Sequence, residues 1–129
     1  MKWVKLNAIV VLHDTMLREH GGLPGLSAEG RGKLESALQR PQNLAHYEGV
    51  DDIMHLAATY LVGVAAAHAF ADANKRTAWL CANLFLDVNG VELVCEPTEI
   101  VELVVSVADS RLNVTTETVA EWLRARKKR

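Results

Sequence analysis

The sequence predicts an all-α protein, a compact bundle of about six helices. Apolar residues recur at intervals of three and four along most of its 129 residues, and glycines and prolines separate these runs. Half of the residues are hydrophobic, so a chain of this length can bury about two thirds of its unfolded surface in one core. We therefore expect one domain over residues 1–129.

Two helices are predicted before residue 41. The first spans about residues 3–20, and the glycines and proline of residues 21–25 end it. Its apolar positions are Val4, Ala8, Val11, Leu12 and Met16. A second, short helix follows from Leu34, Ala37 and Leu38, although Ser27 followed by Gly30 is a poor capping signal. It should end before Pro41.

The next two helices should form the centre of the bundle. Asp51 or Asp52 can cap a helix that runs to about His68, with a wide apolar face and otherwise mostly alanine, glycine and valine. Helices this apolar on all sides are normally central. A fourth helix should run from about Asn74 to the left-handed stop at residues 89–90, Asn-Gly.

The last third of the chain predicts two more helices. Residues 91–95 have β character but no obvious partner strand, so we expect an extended connection there. Pro97 or Thr98 should open the fifth helix, and Thr115 or Thr116 the last, whose basic final turn suits the helix dipole.

The charge and the cysteines of the chain disfavour some classes of function. The formal charge of −2, mixed along most of the chain, argues against a dedicated nucleic-acid binder. Only residues 124–129 are basic; they could contact phosphates or an acidic partner, but a solvated helix end is the plainer interpretation. Cys81 and Cys95 lack CxxC spacing and resemble buried free thiols, which favours the cytoplasm. We expect neither a signal peptide nor a membrane span.

One polar segment lies between the two most apolar helices: residues 68–77, His-Ala-Phe-Ala-Asp-Ala-Asn-Lys-Arg-Thr. A helix that begins at Asn74 leaves its first N–H groups and its positive dipole end open, which makes an anion site. Lys75 and Arg76 add two cations there, so phosphate is the expected guest. Asp72, just before the helix, could hold Mg²⁺ together with phosphate oxygens and water.

The remaining residues of this segment suggest catalysis. A histidine such as His68 can accept a proton from an attacking hydroxyl at neutral pH. Phe70 should point inward and pin the loop. Taken singly, each residue also has an ordinary explanation: a hydrogen-bonded histidine, helix caps at Asp72 and Asn74, and a solvated face at residues 75–76. Cations in a first helical turn oppose the dipole, which counts against the solvated face.

The segment resembles the signature of the Fic/Doc family, His-x-Phe-x-Asp/Glu-Gly/Ala-Asn-Gly/Lys-Arg. Similarity to the death-on-curing toxin branch extends to residues 21–25, residues 58–61 and residues 84–86 ahead of Asn-Gly, and so covers nearly the whole chain. The resemblance implies the Fic/Doc fold, with ATP as co-substrate and Mg²⁺ as cofactor.

The family's residue roles can be carried over one by one. The resemblance implies His68 as general base, Asp72 as metal ligand, and Asn74, Lys75 and Arg76 as phosphate-binding residues. It also makes residues 21–27 a flap on which the target protein docks, although a plain interhelical connection is the alternative. The flap residues are Gly22, Leu23, Pro24 and Gly25.

Two departures from the wider family affect the expected reaction. Most of the family has glycine where this chain has Lys75, and a second arginine where it has Trp79. Many such relatives transfer AMP. In the death-on-curing branch, lysine goes with inverted nucleotide placement and transfer of the terminal phosphoryl group, and the branch is associated with phosphorylation of elongation factor Tu and arrest of translation. AMP transfer and a catalytically idle, antitoxin-binding module remain the alternatives.

The mode of inhibition is also implied by the resemblance. Some relatives block their own nucleotide site with a Ser/Thr-x-x-x-Glu-Gly/Asn element. Glu-Gly occurs at residues 29–30 and 48–49, but Gly25 and Leu44 stand four residues before each glutamate. We therefore expect an antitoxin protein that inhibits in trans through a segment that folds into an apolar groove on binding.

Overall fold

The computed structural model describes residues 1–22, 25–70 and 73–129, with His20 described by its backbone alone. Six α-helices form within these residues: α1 (Leu6–His20), α2 (Ala28–Glu48), α3 (Ile53–Ala67), α4 (Asn74–Val88), α5 (Pro97–Ala108) and α6 (Thr116–Ala125). A short 3₁₀ turn, Ser110–Leu112, connects the last two. In these ranges the only β pairing is two isolated bridges. The predicted all-α bundle of about six helices is confirmed.

Helix α3 is the centre of the bundle and contacts α2, α4, α5 and α6. Its small residues permit this close packing; a Cβ added at Gly63 would already contact the Ala37 side chain of α2 at 3.4 Å. Asp52 caps the helix by accepting hydrogen bonds from the amides of Met54 and His55. Because α3 is buried on nearly all sides, the surrounding helices determine where its two ends lie.

Helix α1 begins three residues later than predicted because the residues before it have tertiary partners. The Val4 amide donates to the Tyr60 hydroxyl at 3.1 Å, and Trp3 stacks on Phe85 with ring centroids 5.7 Å apart. Burial raises the pKa of Tyr60 to about 12, so its hydroxyl stays protonated and polar within the core. The extended residues 1–5 thus lie against α3 and α4.

The predicted end of the second helix before Pro41 is wrong. Proline removes one helical hydrogen bond, yet α2 continues through it to Glu48. Pro41 is buried and Leu44 packs on the core, so tertiary packing offsets the lost bond. The helix ends instead at Gly49 in the left-handed conformation, where the Gly49 and Val50 amides both donate to the Leu44 carbonyl.

The start of α2 also differs from the sequence interpretation. Ser27 does cap the helix, since its hydroxyl accepts a hydrogen bond from the Gly30 amide at 2.9 Å. The hydrogen bond needs only the backbone N–H of the third helical residue, so glycine at that position does not weaken it.

The connection at residues 91–95 has a partner that its sequence did not reveal. Leu93 forms an antiparallel bridge with Lys127 after α6, and the Val94 amide donates to the Arg126 carbonyl at 2.7 Å. Three basic residues of the segment 124–129 pair with carboxylates: Arg124 with Asp52 and Glu117, Arg126 with Glu99, and Lys128 with Glu92. These pairs reduce the positive charge that the segment presents to solvent.

Two further observations concern the chain as a whole. Both cysteines are free; Cys81 is buried, which raises the pKa of its thiol, and Cys95 is partly buried. Among the described residues, no helix is both long enough and apolar enough to cross a membrane.

Candidate active site

The loop between α3 and α4, called here the His68 loop (residues 68–73), is described at residues 68–70 and 73. His68 ends α3 with φ 45° and ψ 43°, and Ala73 precedes α4 with φ 63° and ψ 27°. Both residues have left-handed backbones, which strain any residue other than glycine by about 1–3 kcal/mol. The ring of His68 is exposed and makes no hydrogen bond to any described residue. It is therefore available to a ligand.

Phe70 lies on the buried side of the His68 loop. Its side chain is only 5 % exposed and stacks on the ring of His13 from α1, with centroids 3.7 Å apart and planes inclined by 13°. The backbone of Phe70 forms an antiparallel bridge with Leu26, which lies within the predicted flap segment, residues 21–27. The flap segment and the His68 loop are therefore direct neighbours.

Asn74, the first residue of α4, clamps the loop through its side chain. The Phe70 amide donates to Asn74 Oδ1 at 3.0 Å, and Asn74 Nδ2 donates to the Phe70 carbonyl at 2.8 Å. These two hydrogen bonds use the polar atoms of the Asn74 side chain within the protein. The backbone N–H of Asn74 is one of the first N–H groups of α4. Its role as a phosphate-binding residue remains a prediction, with the backbone N–H as the available donor.

The first turn of α4 has the properties of an anion site. Ala73 provides no side-chain cap, unlike the serine and aspartate that cap α2 and α3. Lys75 and Arg76 in this turn are exposed, and neither pairs with a carboxylate of a described residue. The first N–H groups of a helix, its positive dipole end and two cations that no described carboxylate neutralises attract the same kind of ligand, a polyanion.

A cavity of about 690 Å³ joins these groups. His68, Asn74, Lys75 and Arg76 line one side, and α5 lines the other. The α5 wall is apolar and includes Ile100, Val101, Val104 and Val105. Small-molecule sites commonly combine an apolar wall with a few convergent polar groups, in volumes of about 300–1,000 Å³. The cavity therefore suits a ligand with a charged end and a flat, less polar end.

Trp79 stands at the position where the resemblance to the wider family leads us to expect a second arginine. It is 8 % exposed, lines the cavity and meets Trp122 of α6 edge to face, with centroids 5.9 Å apart. A ring so held by α6 offers the cavity an apolar surface in place of a cation.

A second groove, of about 760 Å³, lies between α2 and α3. Small residues form its floor, and none of the residues that the sequence predicted for the site lines it. The cavity lined by His68 is therefore the one that contains the predicted site residues.

Three residues predicted for the site, Asp72, Leu23 and Pro24, lie outside the described residues. The other two flap residues, Gly22 and Gly25, are exposed and have φ of 133° and 148°, a backbone region that favours glycine. Within the described ranges, no group of three or more His, Cys, Asp or Glu side chains could hold a metal ion.

The sequence interpretation missed two kinds of contributor. It assigned no role to His13, whose buried ring packs under Phe70, and none to the apolar α5 wall. The sequence offered two signals: a histidine within an otherwise regular helical pattern, and several valines in a late helix. Neither reveals a distant partner.

The comparisons with known proteins identify the family of this chain. The Fic/DOC family model matches residues 3–86, which contain α1 to α3 and most of α4. The chain belongs to the Fic/DOC family.

Two relatives carry more specific names. The chain is 40 % identical to the protein named "Protein kinase doc" of Escherichia phage P1 over 124 residues, 96 % of this chain and 94 % of that protein. It is 42 % identical to the "Toxin Doc" of Mycolicibacterium smegmatis over 74 residues, 55 % of each chain. Similarity to the first therefore extends through α5 and α6, the helices beyond the family match.

Proposed function

We propose that this protein is the toxin of a toxin–antitoxin pair and acts as an ATP-dependent protein kinase. Its substrate would be a serine or threonine hydroxyl of a translation factor, elongation factor Tu by the family resemblance, and its action would arrest translation in the cytoplasm. The observation that carries the proposal is the cavity lined by His68, Lys75 and Arg76 at the start of α4, where none of the three side chains pairs with a described residue. The name of the phage relative supports the same reaction.

The proposed reaction gives each group one task. His68 accepts the proton of the target hydroxyl as its oxygen forms a bond to the γ-phosphorus of ATP. The bond between that phosphorus and the β–γ bridging oxygen breaks, and ADP leaves. Lys75, Arg76 and the first amides of α4 stabilise the charge on the phosphoryl oxygens. Little covalent chemistry is required of the protein; its contribution is positioning and charge neutralisation.

The lining of the cavity suits ATP, and Asp72 would supply the carboxylate for a magnesium ion. The apolar α5 wall can take the nucleoside while the cationic end of the cavity takes the phosphates. Asp72 is the proposed magnesium ligand, one carboxylate next to phosphate oxygens, which is a common arrangement for this ion. The ion would neutralise charge on the phosphates.

Labelled ATP tests the reaction. The purified protein, incubated with a bacterial lysate, should transfer label from the γ-phosphate to one protein and none from the α-phosphate, because Lys75 occupies the place where glycine admits a differently oriented phosphate chain. Mass spectrometry should find one added phosphoryl group. Transfer of α-label with the mass of AMP would replace the kinase by an adenylyltransferase. Absence of both labels would favour the idle binding module.

An antitoxin should act in trans, because the chain lacks the self-inhibitory element found in some relatives. Expression of this protein alone should therefore arrest growth, and expression with its cognate antitoxin should restore it. Growth can be followed by optical density after induction, with the His68→Ala variant as control. Harmless expression of a protein that is fully active on its target when purified would contradict the toxin assignment.

A further inference from the structure

Helix α2 passes unusually close to the His68 loop. A Cβ placed on Gly30 would lie 2.2 Å from the carbonyl oxygen of Ala69 and 3.0 Å from its carbonyl carbon. Real Cβ atoms essentially never approach a neighbour closer than 3.0 Å. Only glycine therefore allows α2 to support the loop at the residue directly after His68.

Contacts of Phe70 restrain the loop against moving away from a side chain at position 30. Phe70 is held by the ring stack on His13, by both hydrogen bonds of Asn74 and by the bridge to Leu26. The Ala69 carbonyl thus contacts Gly30 and belongs to the peptide group that joins Ala69 to the restrained residue Phe70. A shift of this peptide group has to be absorbed at His68, which already has a left-handed backbone.

We propose that Gly30 and His13, together called the loop seat, are positioning residues for His68. This inference rests on the proposed function, since it explains how the general base is held in place. Neither residue lines the cavity, and both contact the His68 loop, Gly30 at Ala69 and His13 at Phe70. A misplacement of about 1 Å at a catalytic group can lower a rate by about 100-fold.

Helix propensity provides a matched control. Gly30 and Gly32 both lie inside α2, and a Cβ on Gly32 would meet nothing within 4 Å. Glycine destabilises a helix relative to alanine, so propensity alone predicts that either substitution by alanine stabilises the protein. A Cβ on Gly30 would also lie 3.1 Å from the Ser27 hydroxyl, but its severe clash is with the Ala69 carbonyl oxygen at 2.2 Å, and Gly32 has no such neighbour.

The experiment compares Gly30→Ala with Gly32→Ala in the full chain. For Gly30→Ala we expect kcat for γ-phosphoryl transfer to fall by about 10- to 100-fold, while KM for ATP stays within about twofold because the cations lie on α4. Amide resonances of His68, Ala69 and Phe70 should shift in ¹H–¹⁵N spectra. Gly32→Ala should leave kcat and these resonances unchanged.

His13 provides a second test if Gly30→Ala does not fold. His13→Leu removes the ring stack and should lower kcat with little change in KM, whereas His13→Phe keeps a flat ring against Phe70 and should retain most activity. Unchanged kcat and unchanged loop resonances in folded Gly30→Ala, or equal losses in the two His13 variants, would overturn the proposal. If the wild-type protein transfers no phosphoryl group, the proposed function fails, and the resonance shifts still test the loop seat.

Discussion

Replacing His68 by alanine should lower phosphoryl transfer by about 100- to 10,000-fold and leave the fold intact, because the substitution removes the general base. The ring is exposed and bonds to no described residue, so its loss should change the unfolding free energy by only about 0.5 kcal/mol. Initial rates with γ-labelled ATP measure the first effect, and thermal unfolding followed by circular dichroism measures the second.

His46→Ala is a suitable control for that experiment. His46 is also exposed, but it lies near the end of α2 and does not line the cavity. Its substitution should leave the transfer rate unchanged. If folded His68→Ala protein were as active as the wild type, another group would have to accept the proton, and the mechanism proposed here would be wrong.

Replacing Lys75 by alanine should lower transfer by about 100- to 1,000-fold, the usual cost of losing one preorganised group that stabilises transition-state charge. The lysine has no carboxylate partner among the described residues, so its charge remains available for the nucleotide. The matched control is Lys33→Ala, which removes an equal charge from an exposed position in α2. The rate of γ-label incorporation measures both.

Two results would contradict this role of Lys75. One is an equal loss of rate in the two lysine variants, which would indicate a general effect of net charge. The other is a full rate in Lys75→Ala, which would leave Arg76 and the α4 amides as sufficient for binding phosphate. Incorporation of α-label by Lys75→Ala but not by the wild type would instead show that the lysine selects which part of ATP is transferred.

Local signals in the sequence predicted the helices well and failed where tertiary packing decides. The starts of α3 and α4, and the left-handed stop after α4, follow from residues close in sequence. The passage of α2 through Pro41 does not, because the compensating contacts come from the core. For the same reason, the pairing of residues 92–94 with residues 126–128 was not visible in either segment alone.

The candidate site likewise has one part that local sequence indicates and another that depends on tertiary packing. Residues 68–76 are contiguous, so a single motif could indicate most of the polar groups. The support of the loop by Gly30 and His13, and the apolar wall on α5, depend on how three helices pack around it. A helical pattern shows which face is apolar but not which loop that face will support.

The left-handed backbones at His68 and Ala73 also limit how freely this protein can evolve. Strain of about 1–3 kcal/mol at each residue is a considerable part of the roughly 5–15 kcal/mol by which a typical domain is stable. The histidine cannot be exchanged for glycine without losing the proposed base, so that part of the strain persists as long as the activity does. The strained loop therefore leaves a smaller margin of folding stability. A destabilising substitution in the core of α3 or α4 is correspondingly less well tolerated.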